Sequence, residues 1–351
     1  MEKQKKWFWS TIAGSGIILF LILVVVVIAD PYFHYHGKIP GMKYRIYNER
    51  YINVGILENF EYDAIITGTS MNQNFKTSQM DALLGTNAVK VPFSGAGFQE
   101  IRENLEKAFE SDNEIKYVLW GIDYNGLLRE SDYIAYKEYP EYLYDNNIFN
   151  DVSYVWNKEI MVSGLLTNVL MTLQGEETTT FDEYASWDVG RGWDFIKLSY
   201  CRRQDILPMK NGLTSEEQEM IEENIETNIL SLAKAHPETT FILFYTPYSA
   251  LYWDELYREG MLEKQLFSES VTSKLLLECE NIQLYSFFDK TDMVCNLDNY
   301  RDGLHYVNDI NDAILTWIAN GEGRVTKENY QKLIQKEYDF YMNYDYDSLY
   351  K

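Results

Sequence analysis

In the stretch Asp63-Ala64-Ile65-Ile66-Thr67-Gly68-Thr69-Ser70-Met71-Asn72, a short apolar run leads directly into a glycine and two hydroxyl side chains. An apolar run of this length, bounded by turn residues, reads as a strand buried on both faces. Gly68 permits a tight turn after it. Ser70 then stands at the carboxyl end of a buried strand, where open α/β sheets bind their ligands.

Outward from this point the chain alternates short β-branched runs with longer amphipathic ones. Further strands are expected at Ala88-Val89-Lys90-Val91, Tyr117-Val118-Leu119-Trp120, Thr240-Phe241-Ile242-Leu243-Phe244-Tyr245 and Ile282-Gln283-Leu284-Tyr285-Ser286. Helices are expected from Ser78 to Leu84, Gln99 to Glu110, Ser215 to Ala235 and Asp309 to Ala319, the third opened by a Thr214/Glu217 capping box. The pattern predicts an α/β protein with a doubly wound, flavodoxin-like parallel sheet of about five strands. The α/β domain is expected over residues 60–322, interrupted at about 128–212 by a helical, aromatic insertion too long to be a loop. That insertion carries Tyr133, Tyr136, Tyr139, Tyr142 and Tyr144, a helical stretch around Ile160 to Leu173, and Trp187 and Trp193. Its rings suit either the core of a subdomain or a lid stacking on sugar faces. Residues 30–59 are expected as a juxtamembrane linker and 323–351 as a peripheral tail.

The N-terminus speaks to location. From Trp7 to Ala29 there are 23 residues without a charge, enough to cross a hydrocarbon core of about 30 Å. Lys3, Lys5 and Lys6 precede the run, and Trp7 and Trp9 suit an aromatic belt. Residues 1–29 therefore read as an uncleaved single-pass anchor with a cytoplasmic N-terminus and the bulk of the chain outside. A signal peptide would have a shorter apolar region and a small-residue cleavage site. The net charge of −23 argues against nucleic-acid binding. Three scattered cysteines, Cys201, Cys279 and Cys295, fit neither a disulfide framework nor a cysteine-built metal site. No metal and no organic cofactor are expected.

Only four histidines occur, and His305 is the one best placed to serve as base for Ser70. Asp302, three residues earlier, could orient its ring. At these residues the chain resembles the SGNH/GDSL hydrolase superfamily: Gly68-Thr69-Ser70 matches its nucleophile block and Asp302-Gly303-Leu304-His305 its acid/base block. Ser94-Gly95-Ala96-Gly97 and Gly121-Ile122-Asp123-Tyr124 follow the second and third strands in the family's order. The resemblance implies a triad of Ser70, Asp302 and His305, with an oxyanion hole at the amides of Ser70 and Gly95. Asp123 stands where the family places an asparagine, although an ionised carboxylate donates no hydrogen bond. Asn72 is an additional candidate helper at the oxyanion.

The anchor and the external location resemble the envelope branch, which includes the teichoic acid D-alanyl-transfer protein and the polysaccharide O-acetyltransferases. The implied activity is serine-dependent acyl transfer or ester hydrolysis on a cell-surface polymer or glycan, beside a multispanning MBOAT-type acyltransferase. The alternative is a catalytically inactive SGNH-like scaffold that binds a glycan or an assembly partner.

Overall fold

The computed structural model describes residues 2–135, 140–145, 147–187 and 190–350. Tyr136 and Tyr139 of the insertion lie outside the described residues. The chain divides into two compact units, Met1–Phe60 with Glu138–Thr180, and Glu61–Lys137 with Phe181–Lys351.

The first unit is built on helix α1 (Glu2–Ala29), which is long and apolar enough to cross a membrane. The segment that follows it is not a linker. The Asp30 carboxylate accepts the backbone N–H groups of His34, Tyr35 and His36 and the Tyr154 hydroxyl, which turns the chain back sharply. Tyr32, Phe33 and Tyr44 are fully buried, and α2 (Glu49–Asn59) follows with Ile52, Val54, Ile56 and Leu57 inside. Residues 138–180 complete this unit: the Tyr32 hydroxyl donates to Glu159 (3.0 Å), and the Asn168 side chain accepts the Arg45 N–H (2.8 Å). The insertion is thus divided. Its middle part folds with the N-terminal segment, and its two ends belong to the sheet unit.

The second unit is a mixed α/β structure around a six-stranded, mostly parallel sheet. Its elements are β1 (Ala64–Thr67), α3 (Thr77–Leu84), β2 (Ala88–Lys90), α4 (Phe98–Glu110), β3 (Tyr117–Ile122), α5 (Ser215–Ile225), β4 (Thr240–Tyr245), α6 (Ala250–Arg258), α7 (Leu262–Leu276), β5 (Ile282–Tyr285), α8 (Asn308–Ala319), β6 (Arg324–Val325) and α9 (Tyr330–Asn343). The strand order is β2-β1-β3-β4-β5-β6, with β6 alone antiparallel. Every residue of β1 and β2 is buried, as strands covered on both faces in a parallel sheet require, including Lys90, whose ammonium group donates to the Gln73 carbonyl (2.6 Å). The Thr214/Glu217 capping box opens α5, which continues through a π-helical stretch (Glu226–Leu230) to Ala235.

Residues 323–351 are no peripheral tail. Strand β6 pairs with β5 at the sheet edge, and α9 packs on α7. There the fully buried carboxyls of Glu337 and Glu269 share a hydrogen bond, and the Tyr124 hydroxyl donates to Glu337 (3.3 Å). Burial raises both acids, Glu269 to about 7, so the folded protein holds protons that the unfolded chain releases. This stability is fully present below the ordinary glutamate range and is lost as the pH rises through about 7. Each unit of such a shift is worth about 1.4 kcal/mol. Glu337→Gln is expected to flatten the fall in melting temperature between pH 5 and pH 8 by several degrees, read by circular dichroism in detergent. An unchanged slope would show that the pair does not share the proton.

Candidate active site

Strand β1 delivers the nucleophile candidate. Gly68 has φ +128°, and a Cβ there would stand 2.3 Å from the Asn72 side-chain oxygen, so only glycine fits this turn. Ser70 opens a single 3₁₀ turn, Ser70–Asn72, beyond the strand.

The candidate acid and base come from a loop closed by an antiparallel bridge between Tyr300 and Tyr306. Within it, Asp302 Oδ1 accepts the backbone N–H groups of Leu304 and His305, both at 2.8 Å. The loop is tied to the rest of the sheet unit at several points. Tyr300 donates its hydroxyl to the Pro247 carbonyl (2.7 Å), Ser249 donates its own to the Gly303 carbonyl (2.7 Å), and Tyr306 and Asn311 both donate to the Met71 carbonyl at 3.2 Å.

These ties bring together residues far apart in the chain. Ser70 Oγ lies 2.8 Å from His305 Nε2, and His305 Nδ1 lies 2.8 Å from Asp302 Oδ2. An ionised carboxylate only accepts, so Nδ1 carries the proton and Nε2 is free to accept the Ser70 hydroxyl. Burial opposes ionisation of Asp302, but hydrogen bonds from His305 and the two amides, with the His305 charge, hold its carboxyl below the usual range. Asp302 is therefore ionised at neutral pH.

Ser70 and His305 line a cleft of about 210 Å³ together with Gly95, Asp123, Asn125 and Arg129. Gly95 has φ +71°. The Ser70 and Gly95 amides have no hydrogen-bond partner among the described residues. Asp123 lines the same cleft, but its oxygens accept the hydroxyls of Thr69, Tyr248 (2.6 Å) and Thr246 (3.2 Å). Burial raises its carboxyl, and these three donors work against that rise. Asp123 therefore acts as an acceptor that fixes Thr69 beside Ser70.

The structure does not bring Asn72 to the cleft. Its side chain is fully buried and fills the space left where Gly68 and Gly121 lack side chains.

Sequence reasoning missed Asn125, two residues beyond Asp123. It is exposed at the cleft, and its carbonyl oxygen accepts the Tyr252 hydroxyl (3.2 Å), leaving its amide group to donate. It also missed Tyr248. The only signal for either was position after a strand end. A second cleft of about 440 Å³ shares Asn125, Leu304 and His305 with the first and is lined further by Tyr200, Tyr252 and Glu255.

The aromatic insertion divides between the units. Tyr133 lines the first cleft, and Trp187 stands edge-on to His305 with centroids 5.7 Å apart. The Trp187 indole N–H is held by Gln73 (2.8 Å). Tyr142 and Tyr144 hydrogen-bond within the first unit, to Asn157 and the Arg50 carbonyl.

No family model matches this chain, and no curated protein does. A solved structure described as "The structure of a putative platelet activating factor from Streptococcus pneumonia" aligns with 78% of this chain and 90% of its own, at 14% identity and a TM-score of 0.40. A likeness this slight bears on neither fold nor activity.

Asp123→Asn replaces one acceptor by an amide donor facing hydroxyl donors. The change is expected to cost about 1–3 kcal/mol of stability. Thermal melting checks this, and an unchanged melting temperature would show that the three hydroxyls do not depend on the carboxylate.

Proposed function

We propose that the chain is a membrane-anchored serine esterase or acyltransferase of SGNH type, with a flavodoxin-like sheet, acting on an ester-linked acyl group of a cell-envelope polymer. The observation that carries this reading is the hydrogen-bonded series Ser70, His305, Asp302 opening into a cleft. In this reading Ser70 Oγ attacks the ester carbonyl while His305 Nε2 takes its proton. The oxyanion that forms is met by the Ser70 and Gly95 amides and by the Asn125 side-chain amide. As the C–O bond breaks, the leaving alkoxide takes the proton from His305, and Ser70 is left acylated. A polymer hydroxyl or water then gives its proton to His305 and attacks the acyl carbon; the bond from that carbon to Ser70 Oγ breaks, and His305 returns the proton to the departing Oγ. Asp302 holds the ring and stabilises the imidazolium throughout. The two clefts that share His305 and Asn125 suit a donor and an acceptor approaching one base.

The lysines before α1 favour a cytoplasmic N-terminus and an extracytoplasmic body. A single span offers no route for an acyl group across the bilayer, which favours an MBOAT-type partner.

Labelling with a fluorophosphonate tests the reading. Wild-type protein is expected to be modified on Ser70, Ser70→Ala to be inert, and His305→Ala to lose nearly as much reactivity as the double variant. Asp302→Asn is expected to cost less than Ser70→Ala. An unreactive Ser70 in correctly folded protein would favour the binding-scaffold alternative.

A second expectation concerns the anchor. The protein should remain in the membrane fraction after carbonate washing. Recovery of a soluble form beginning near Asp30 would identify a cleaved signal segment instead.

A further inference from the structure

The first unit holds a helical run, Glu159–Leu166 continuing into Thr167–Gln174, whose exposed face is apolar. A surface helix of a water-soluble domain turns its apolar stripe inward. Here the inner face, which holds Ile160 and Gly164, also takes polar groups: Asn168 is fully buried and accepts the Arg45 N–H, and Thr172 accepts the Lys43 N–H (2.8 Å). The apolar residues Val162, Leu166, Val169, Leu170 and Leu173 face out, Leu173 at 78% exposure. They recur at the three- and four-residue spacing of one helix face. No charged residue occurs from Ile160 to Gly175. Shortly before the run, Phe149 is 87% exposed.

This face continues another. The run packs against α1, within the same unit, near the end where Val26 and Ala29 are buried. Gly164 sits so close to the residues just after α1 that a Cβ on it would stand 2.8 Å from the Tyr32 ring and 2.9 Å from Pro31. Val162 and Leu166, both exposed, thus flank in sequence the glycine that packs on the residues just after α1, whose own exposed apolar residues include Leu21, Leu23 and Ile28.

We propose that this run is a second membrane element, an interface-lying helix that sinks its leucine face into the boundary between headgroups and acyl chains. The inference rests on α1 being a membrane anchor. A lipid surface is the occupant because the face extends the surface that α1 itself presents to lipid. Its lack of cationic residues makes apolar burial, rather than attraction to anionic headgroups, the source of binding.

Full-length protein in phosphatidylcholine nanodiscs tests this. With Cys201, Cys279 and Cys295 changed to serine, nitroxide labels are placed singly at Leu21→Cys, Leu166→Cys, Leu170→Cys, Leu173→Cys and Glu177→Cys. Labels at 166, 170 and 173 are expected to be accessible to oxygen and at least about threefold less accessible to a water-soluble nickel chelate than the label at 177. If position 21 shows the lipid pattern while 166, 170 and 173 are open to nickel, the interfacial helix is overturned and the anchor stands. If position 21 is itself open to nickel, both fall. Protection of 166, 170 and 173 from both reagents means burial against protein and also overturns the proposal. Unmutated protein gives an independent measurement: a diazirine-bearing phosphatidylcholine is expected to leave adducts within residues 160–175 as well as in α1. Adducts confined to α1 would overturn the proposal without any variant having to fold.

Discussion

Two buried donors converge on one carbonyl, and the candidate site depends on that convergence. The Tyr306 hydroxyl and the Asn311 amide both reach the oxygen of Met71, the residue after Ser70. A buried carbonyl left without a donor is costly, as is a buried amide or phenol left without an acceptor. The Ser70 turn and the segment carrying Asp302 and His305 therefore satisfy each other, which holds Ser70 Oγ and His305 Nε2 at 2.8 Å although they are 235 positions apart. The bonds from Tyr300 to Pro247 and from Ser249 to Gly303 tie the same loop to the end of β4. Strand ends alone would leave these groups neighbours; the donors fix their register.

Asp123 shows how the same surroundings make use of an acid. Three hydroxyls surround a carboxylate that has no cationic partner among its hydrogen-bond donors. One of them belongs to Thr69, whose oxygen also accepts the Met71 N–H (3.4 Å). The chain from Asp123 through Thr69 thus reaches the residues flanking Ser70, and the positional departure noted at Asp123 becomes a bracing role.

Local chemistry announced much of the sheet unit in advance. Short β-branched runs foretold β1 to β5, and the Thr214/Glu217 pair marked the start of α5. Ser70, Asp302 and His305 were readable because few histidines compete and because each residue follows a strand. Other features depended on contacts across long separations, which no local pattern encodes. Asp30 caps a turn using Tyr154, 124 residues away, so residues 30–59 had no local mark of being folded. Strand β6 is two residues long and exists only because β5 offers it an edge. Asn72 carries the right groups for a donor, but the 3₁₀ turn directs it inward beneath Gly68 and Gly121. The inward face of the 159–174 run could not be told from its composition, because Asn168 and Thr172 find their partners near residue 45.

The wide separation of Ser70 from the Asp302–His305 loop also sets an order in time. A chain made from its N-terminus presents the serine long before it presents the imidazole, and Tyr306 and Asn311 arrive later still. Until they do, Ser70 has no neighbour to take its proton, and its hydroxyl is an ordinary alcohol. The nascent protein therefore passes through most of its synthesis chemically silent, and any reactivity of the serine begins only once His305 and the donors Tyr306 and Asn311 have joined the Ser70 turn.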